Sequence, residues 1–251
     1  MNHVAKTVAL FLTMTWALSA QADTFSIWVT GKTGVTGSSD NAYSRFDNQV
    51  GHGVEAGLEL FHVSLFAEAM DMGSNQHLLT GNLGWDTSWG SDWRINLGVF
   101  TGPVLMVFPD AKPTGPTFAS QRDALAEQGF DMSAVDAQLN SGLMMDEEEL
   151  AKLSLGWNLL RSRLQFERRI FPGAYLGLSF DGAYHMVATG DEVAAGAKHM
   201  VLNEMSQGQS EGSIESGMSN DIRADLGAEA LDPAKMGGFN YNVGAYLKFQ
   251  I

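Results

Sequence analysis

The chain has 251 residues, no cysteine, and 29 acidic against 15 basic residues, a net charge of −14. That balance excludes a nucleic-acid binder, which must neutralise a run of phosphates, and the missing thiols exclude a disulfide framework. Beyond the N-terminal segment no run reaches the ~20 apolar residues of a membrane-spanning helix, a test that says nothing of strands, whose apolar signal is halved by alternation.

Met1 to Ala22 reads as a secretory signal: Lys6 supplies the positive start, Val8 to Leu18 the short apolar stretch, and Ala20-Gln21-Ala22 the small-x-small cleavage site. The expectation is an exported protein of a Gram-negative cell, with a mature start at Asp23 and one domain over residues 23–251.

Two-faced segments with a period of two then follow one another. Phe25, Ile27 and Val29 alternate with Ser26, Trp28 and Thr30, and this strand is expected to run out in the Gly- and Ser-rich stretch Gly31 to Asp47. Val54 to Leu60 and Val63 to Ala69 make a hairpin turning near Phe61. After a turn at residues 72–76, Leu79 to Asp86 and Trp93 to Phe100 alternate in the same way, with Pro103 marking a bulge or a strand end. From Pro109 to Lys152 the period changes. Thr117, Ser133 and Asp146 stand as N-caps before short helices at 118–128, 134–139 and 147–153, and Asp146 with Glu149 fits a capping box. Strands resume at Leu155 and run to Glu167, with a phase slip at Leu159-Leu160 that suggests a bulge. A tight turn around Phe171-Pro172-Gly173 leads to Leu176 to His185, residues 188–237 read as a Gly-, Ser- and acid-rich loop, and the chain closes on Gly238 to Ile251.

The count is eight, and the links sort by parity. The odd-numbered links are long or modest, and the even-numbered ones are tight. A soluble sandwich has no reason to sort its loops this way, whereas a membrane barrel with both termini in the periplasm keeps short turns on that side and lets the outer loops grow. The predicted fold is therefore all-β, an eight-stranded antiparallel up-and-down transmembrane barrel whose long outer loops, about 109–152 and 188–237, contain short helices.

The last strand carries a local motif. Asn242, Gly244, Leu247 and Phe249 resemble, in type and spacing, the C-terminal assembly signal of bacterial outer-membrane barrels, which implies the barrel-insertion machinery as a partner during biogenesis. Such proteins end on an aromatic residue, and here Gln250 and Ile251 follow. In architecture the mature chain is similar to the small eight-stranded outer-membrane barrels, the OmpA transmembrane domain and OmpX among them.

The same alternation would serve a soluble lipocalin-like barrel turned inside out. Two features favour lipid. The polar rows hold Glu55, Glu59, Glu68, Asp86, Glu167 and Asp181 against Arg94, Arg161, Arg163 and Lys248, interleaved with glycines that suit a narrow interior. Aromatics of the apolar rows gather towards strand ends: Phe25, Phe61, Trp85, Trp93 and Phe249 on the short-turn side, and Tyr184, Phe239 and Tyr241 on the other. Eight strands leave room only for side chains inside. The ten charges are therefore expected to pair into a network across a plugged lumen, because an unpaired buried charge is costly.

No cofactor, metal or catalytic site is assigned. Gly31-Lys32-Thr33 ends a stretch resembling a phosphate-binding loop that lacks its first glycine. His62, Ser64 and Glu68 resemble the trio of the barrel lipid A deacylases, but fall at the periplasmic end. His52, His77 and His185 lie near the long-loop rim with Asp71 and Asp181 not far off, as a water-activating pair would. Residues 109–152 and 188–237 each hold nine acids and three bases, so the two loops carry −12 of the charge. They suit a solvated surface among outer-membrane lipid and lipopolysaccharide, with divalent cations bridging loop carboxylates to lipid phosphates as the sharper expectation. The leading function is a structural or interaction barrel. A narrow channel or transporter for small solutes, and a surface enzyme acting on lipid A or protein, are the alternatives.

Overall fold

The structure, a computed structural model, describes residues 25–38, 49–73, 75–115, 147–208 and 236–251 together with positions 46, 117, 126, 133, 231 and 232. The expected signal segment, Asp146, and all but isolated positions of the expected helices 118–128 and 134–139 lie outside these residues.

Eight strands pair in chain order and close into an antiparallel barrel. They are β1 (Phe25–Ser38), β2 (Gln49–Leu60), β3 (Val63–Asp71), β4 (His77–Trp89), β5 (Trp93–Val107), β6 (Leu153–Phe171), β7 (Ala174–Thr189) and β8 (Gly237–Gln250). The sequence predicts this all-β, eight-stranded, up-and-down architecture, and the even-numbered links are indeed the short ones: residues 61–62, 90–92 and 172–173, against 39–48, 72–76, 108–152 and 190–236 for the odd-numbered links. Closure is made by β1 and β8, running from Trp28↔Gln250 to Ser38↔Asn240.

The strands exceed their expected lengths, β1 most of all. It continues through Gly31 to Ser38, where a glycine-rich loop is expected. The reason is close packing: Gly34 stands opposite Gly244 on one side and Gly51 on the other. A Cβ at Gly34 would lie 2.8 Å from the Val243 carbonyl oxygen, so these glycines are strand residues that let backbones approach. Pro103 lies inside β5 and not at its end. In β6 the slip is present, since Leu159 and Leu160 are both exposed while Arg161 and Arg163 are buried.

The β2–β3 turn consists of Phe61 (φ 49°) and His62 (φ 69°), both left-handed, which is the two-residue turn whose twist matches a hairpin but which ordinarily takes Asn-Gly. At the β6–β7 turn Gly173 (φ 79°) supplies that conformation without a side chain.

The chain divides into two compact units. The barrel wall is one, up to Leu105 with Gly156–Met186 and Gly237–Ile251; the second comprises Met106–Leu155 and Val187–Met236. Within the second, α1 (Glu147–Ala151) packs on α2 (Gly190–Gly208). The longer helix, 19 residues, exceeds the short helices expected in these loops. Its start is fixed by a capping box: Glu192 N–H donates to Thr189 Oγ1 (3.3 Å) and Thr189 N–H donates to Glu192 Oε2 (2.7 Å). The buried Lys198 Nζ meets Glu147 Oε2 at 2.8 Å, tying the two helices.

Candidate functional site

Alternation along each strand sends one row of side chains out and one in, and the two rows differ in chemistry. Outward stand Phe25, Ile27, Val29, Leu58, Leu65, Leu83, Ile95, Leu176, Leu178 and Val243, each 41–54 % exposed. Glu55, Glu68, Arg161, Arg163, Glu167 and Asp181 point inward and are at most 7 % exposed. Water-soluble barrels are built the other way round.

The interior is layered. On the short-turn side of the Glu55–Glu68 pair, Trp28, Phe66 and Phe100 form an aromatic cluster, with Trp28 to Phe66 at 6.3 Å and Phe66 to Phe100 edge to face at 5.0 Å. These large rings fit because small residues face them: a Cβ on Gly57 would sit 2.6 Å from the Trp28 ring and 2.5 Å from Phe66 Cβ. The Arg163 guanidinium stacks over Phe66 at 4.6 Å, joining this layer to the charges above it.

The charge layer starts from an electrostatic problem. Glu55 and Glu68 are direct cross-strand partners on β2 and β3, an arrangement that repels unless cations intervene. Three do. Arg163 donates to both oxygens of Glu55, Nη1 to Oε1 at 2.9 Å and Nη2 to Oε2 at 2.7 Å, and through Nε to Asp181 Oδ1 at 2.8 Å. Arg161 Nη2 meets Glu68 Oε2 at 2.7 Å and Asp181 Oδ1 at 3.0 Å. Lys32 on β1 pairs with Glu68 and lies 3.8 Å from Glu55. Ser179 donates to Asp181 Oδ2 at 2.5 Å, and Trp28 Nε1 donates to Glu55 at 3.2 Å. Three cations thus face three carboxylates, and the cluster is neutral as a whole.

The ten charges expected to share one network do not all meet. Five of them, Glu55, Glu68, Arg161, Arg163 and Asp181, form this cluster. A separate pair joins Lys248 Nζ to Glu167 at 3.0 Å, with the Tyr246 hydroxyl donating to the same carboxylate at 2.9 Å. Arg94 donates to Gln250 (3.3 Å) and stacks 4.4 Å over Tyr175. Glu59 lies 3.7 Å from His62, and Asp86 makes no ion pair among the described residues. The member that the sequence reading lacks is Lys32, because ending β1 at Gly31 removes it from the lumen. The alternation Ser26, Trp28, Thr30, Lys32 already carried the signal.

A recess opens on the side of the charge layer nearer the odd-numbered links. Its wall includes Thr36, Glu68, Thr80, Asn158, Arg161, Asp181, Asn240 and Asn242. Asn242 donates to Thr36 at 2.9 Å.

Ser64 is fully buried, while His62 sits in the β2–β3 turn, 6.4 Å from the Trp85 ring. His52, Asp71 and His77 are register partners across β2, β3 and β4 and are exposed, whereas His185 and Asp181 are inside. Among the described residues no group of three or more His, Asp or Glu side chains is arranged to hold a metal ion. In the expected acidic cluster Glu147 and Glu149 are paired, with Lys198 and with Lys152 (2.5 Å) respectively. The residues of the tail motif lie on β8: Asn242 and Gly244 inward, Leu247 and Phe249 in the outer row, where the Phe249 ring is 6.4 Å from Phe171.

No family model and no curated protein matches the sequence. Among solved structures, the chain is similar to the crystal structure of Neisserial surface protein A, at 7 % identity over 90 % of this chain and 97 % of that one, with a TM-score of 0.40.

Proposed function

We propose that this chain is an integral barrel of the bacterial outer membrane, with both termini periplasmic. Its lumen is closed to bulk solute, and it acts as a structural or interaction protein rather than as a pore or an enzyme. One observation carries the reading: a wall whose outer face is leucine, valine, isoleucine and phenylalanine around an interior of paired charges. In water that wall would expose far more contiguous apolar surface than the few hundred Å² of an ordinary soluble protein. In hydrocarbon it is at home, and closure leaves no strand edge with unmet hydrogen bonds. Along β1 the outward row, with Phe25, Ile27, Val29 and Val35 as its apolar members, runs ten residue steps from Phe25 to Val35. At ~3.3 Å per residue and a tilt of about 40° this spans roughly 25 Å, the height of an outer-membrane apolar band.

Exposed aromatics support the two interfaces. Phe25, Phe61, Trp93, Phe171 and Phe249 ring the short-turn end, and Tyr184, Phe239 and Tyr241 the other. The tail motif fits recognition by the barrel-insertion machinery, and the acidic odd-numbered links fit a lipopolysaccharide surface with bridging divalent cations. Electrophoresis of the outer-membrane fraction with and without boiling tests the assignment. A closed barrel migrates faster unboiled, and equal mobility in both lanes overturns it. Planar-bilayer recording separates the closed lumen from a channel, for which steady single-channel steps are the signature.

A further inference from the structure

We infer that the short-turn rim of the wall holds a membrane glycerophospholipid with an anionic headgroup, its phosphodiester bound by Arg168. The inference rests on the membrane reading above. After the slip in β6, Leu160, Ser162, Phe166, Arg168 and Ile170 share the outward row. Arg168 is the one lysine or arginine in the outward rows of the eight strands. It is exposed and makes no ion pair among the described residues; its guanidinium lies over the Trp93 ring, 5.3 Å from the centroid. Arg169, in the opposite phase, turns to the β4–β5 link, where Nη2 meets Asp92 Oδ1 at 2.5 Å.

Arg168 is set between apolar neighbours, with Phe166 two residues before it and Ile170 two after, both exposed. Its stem lies along that row and its head reaches the depth at which Trp93 marks the interface. Hydrocarbon offers this cation no partner, and the adjoining acid, Asp92, is engaged by Arg169. A guanidinium resting on a ring keeps its N–H donors in its own plane, open to an acceptor, and that fork matches two oxygens of a phosphate. At this depth the anion a bilayer supplies is the lipid phosphodiester. Charge selects the headgroup: phosphatidylglycerol leaves the phosphate unneutralised, whereas the ammonium of a choline or ethanolamine headgroup competes with Arg168 for it. Towards mid-bilayer, Phe166 stands edge to face with Phe180 at 6.3 Å, an apolar surface for an acyl chain of the same lipid.

The test is native mass spectrometry of the folded barrel taken from detergent holding equal amounts of phosphatidylglycerol and phosphatidylcholine. Its companion is the urea midpoint in vesicles of phosphatidylcholine alone or mixed with phosphatidylglycerol. The wild-type chain should retain phosphatidylglycerol several-fold over phosphatidylcholine, and the mixed vesicles should raise its midpoint. Arg168→Gln should abolish both differences while the midpoint in phosphatidylcholine stays near its wild-type value. Arg168→Lys, which keeps the charge without the fork, should restore them in part. Moving the charge along the row in the double variant Arg168→Gln/Ile170→Arg keeps the net charge and should not restore them. Full restoration there would show a diffuse attraction of the anionic surface for any cation and overturns the site, as does equal retention of the two lipids by the wild-type chain. A chain that inserts into neither vesicle overturns the membrane reading itself, whereas one that inserts and shows no lipid preference overturns this inference alone.

Discussion

Arg163 on β6 and Glu55 on β2 meet across the lumen as a two-point ion pair, at 2.7 and 2.9 Å, with 108 positions of sequence between them. Strands two and six are not neighbours in the sheet, so this pair is a strut across the barrel and not part of its wall. Removing one partner strands the other charge in a buried site. Arg163→Ala or Glu55→Ala is expected to cost about 3–5 kcal/mol, and replacing both by leucine or methionine much less than the sum. Urea unfolding in lipid vesicles reads the difference; additive losses would show that the pair acts as two independent residues.

Solvent identity outside the wall is testable by position. Val54 lies in mid-strand on β2 and is 59 % exposed, whereas Trp93 opens β5 at the short-turn end and is 67 % exposed. In a bilayer Val54→Arg should lose about 2–4 kcal/mol of folding free energy and Trp93→Arg no more than about 1. A wall facing water would accept both changes almost without cost.

The Phe61-His62 turn holds two residues with side chains in a conformation that favours glycine and asparagine. Substituting Asn-Gly should stabilise the hairpin by roughly 0.5–1 kcal/mol. Should the double variant instead weaken association with membrane while leaving the barrel folded, Phe61 is acting as an interfacial anchor, for which its 67 % exposure suits it.

The capping box at Thr189 and Glu192 makes a local prediction. Thr189→Ala should cost the start of α2 about 1 kcal/mol and raise amide hydrogen exchange over residues 190–196, while the heat-modified gel shift of the barrel stays where it was. An unchanged exchange pattern would mean that packing on α1, not the cap, fixes this end of the helix.

Phe249 separates assembly from stability. If β8 carries the insertion signal, Phe249→Ala should reduce the folded fraction in cells several-fold, while protein refolded in detergent keeps a near-normal unfolding midpoint apart from the lost contact with Phe171. Equal losses in both settings would leave Phe249 as a packing residue only.

The number of strands, their alternation and the parity of the links were legible in the sequence. Each rests on the period-two geometry of a strand and on short turns, both local properties. The phase slip at Leu159-Leu160 was legible for the same reason, and so was the inward direction of Glu55, Glu68, Arg161, Arg163 and Asp181. The T-x-x-E signature of α2 was present at Thr189 to Glu192 but hidden in a stretch read by composition alone. What only the tertiary structure decided was partnership. That β1 extends to Ser38 depends on Gly34 meeting Gly244 and Gly51 from distant parts of the chain, and that extension is what carries Lys32 into the charge layer. Which charges pair, and which go instead to Gln250, Tyr175 or His62, follows from barrel closure. Closure sets distances across the lumen that no spacing along a single strand encodes.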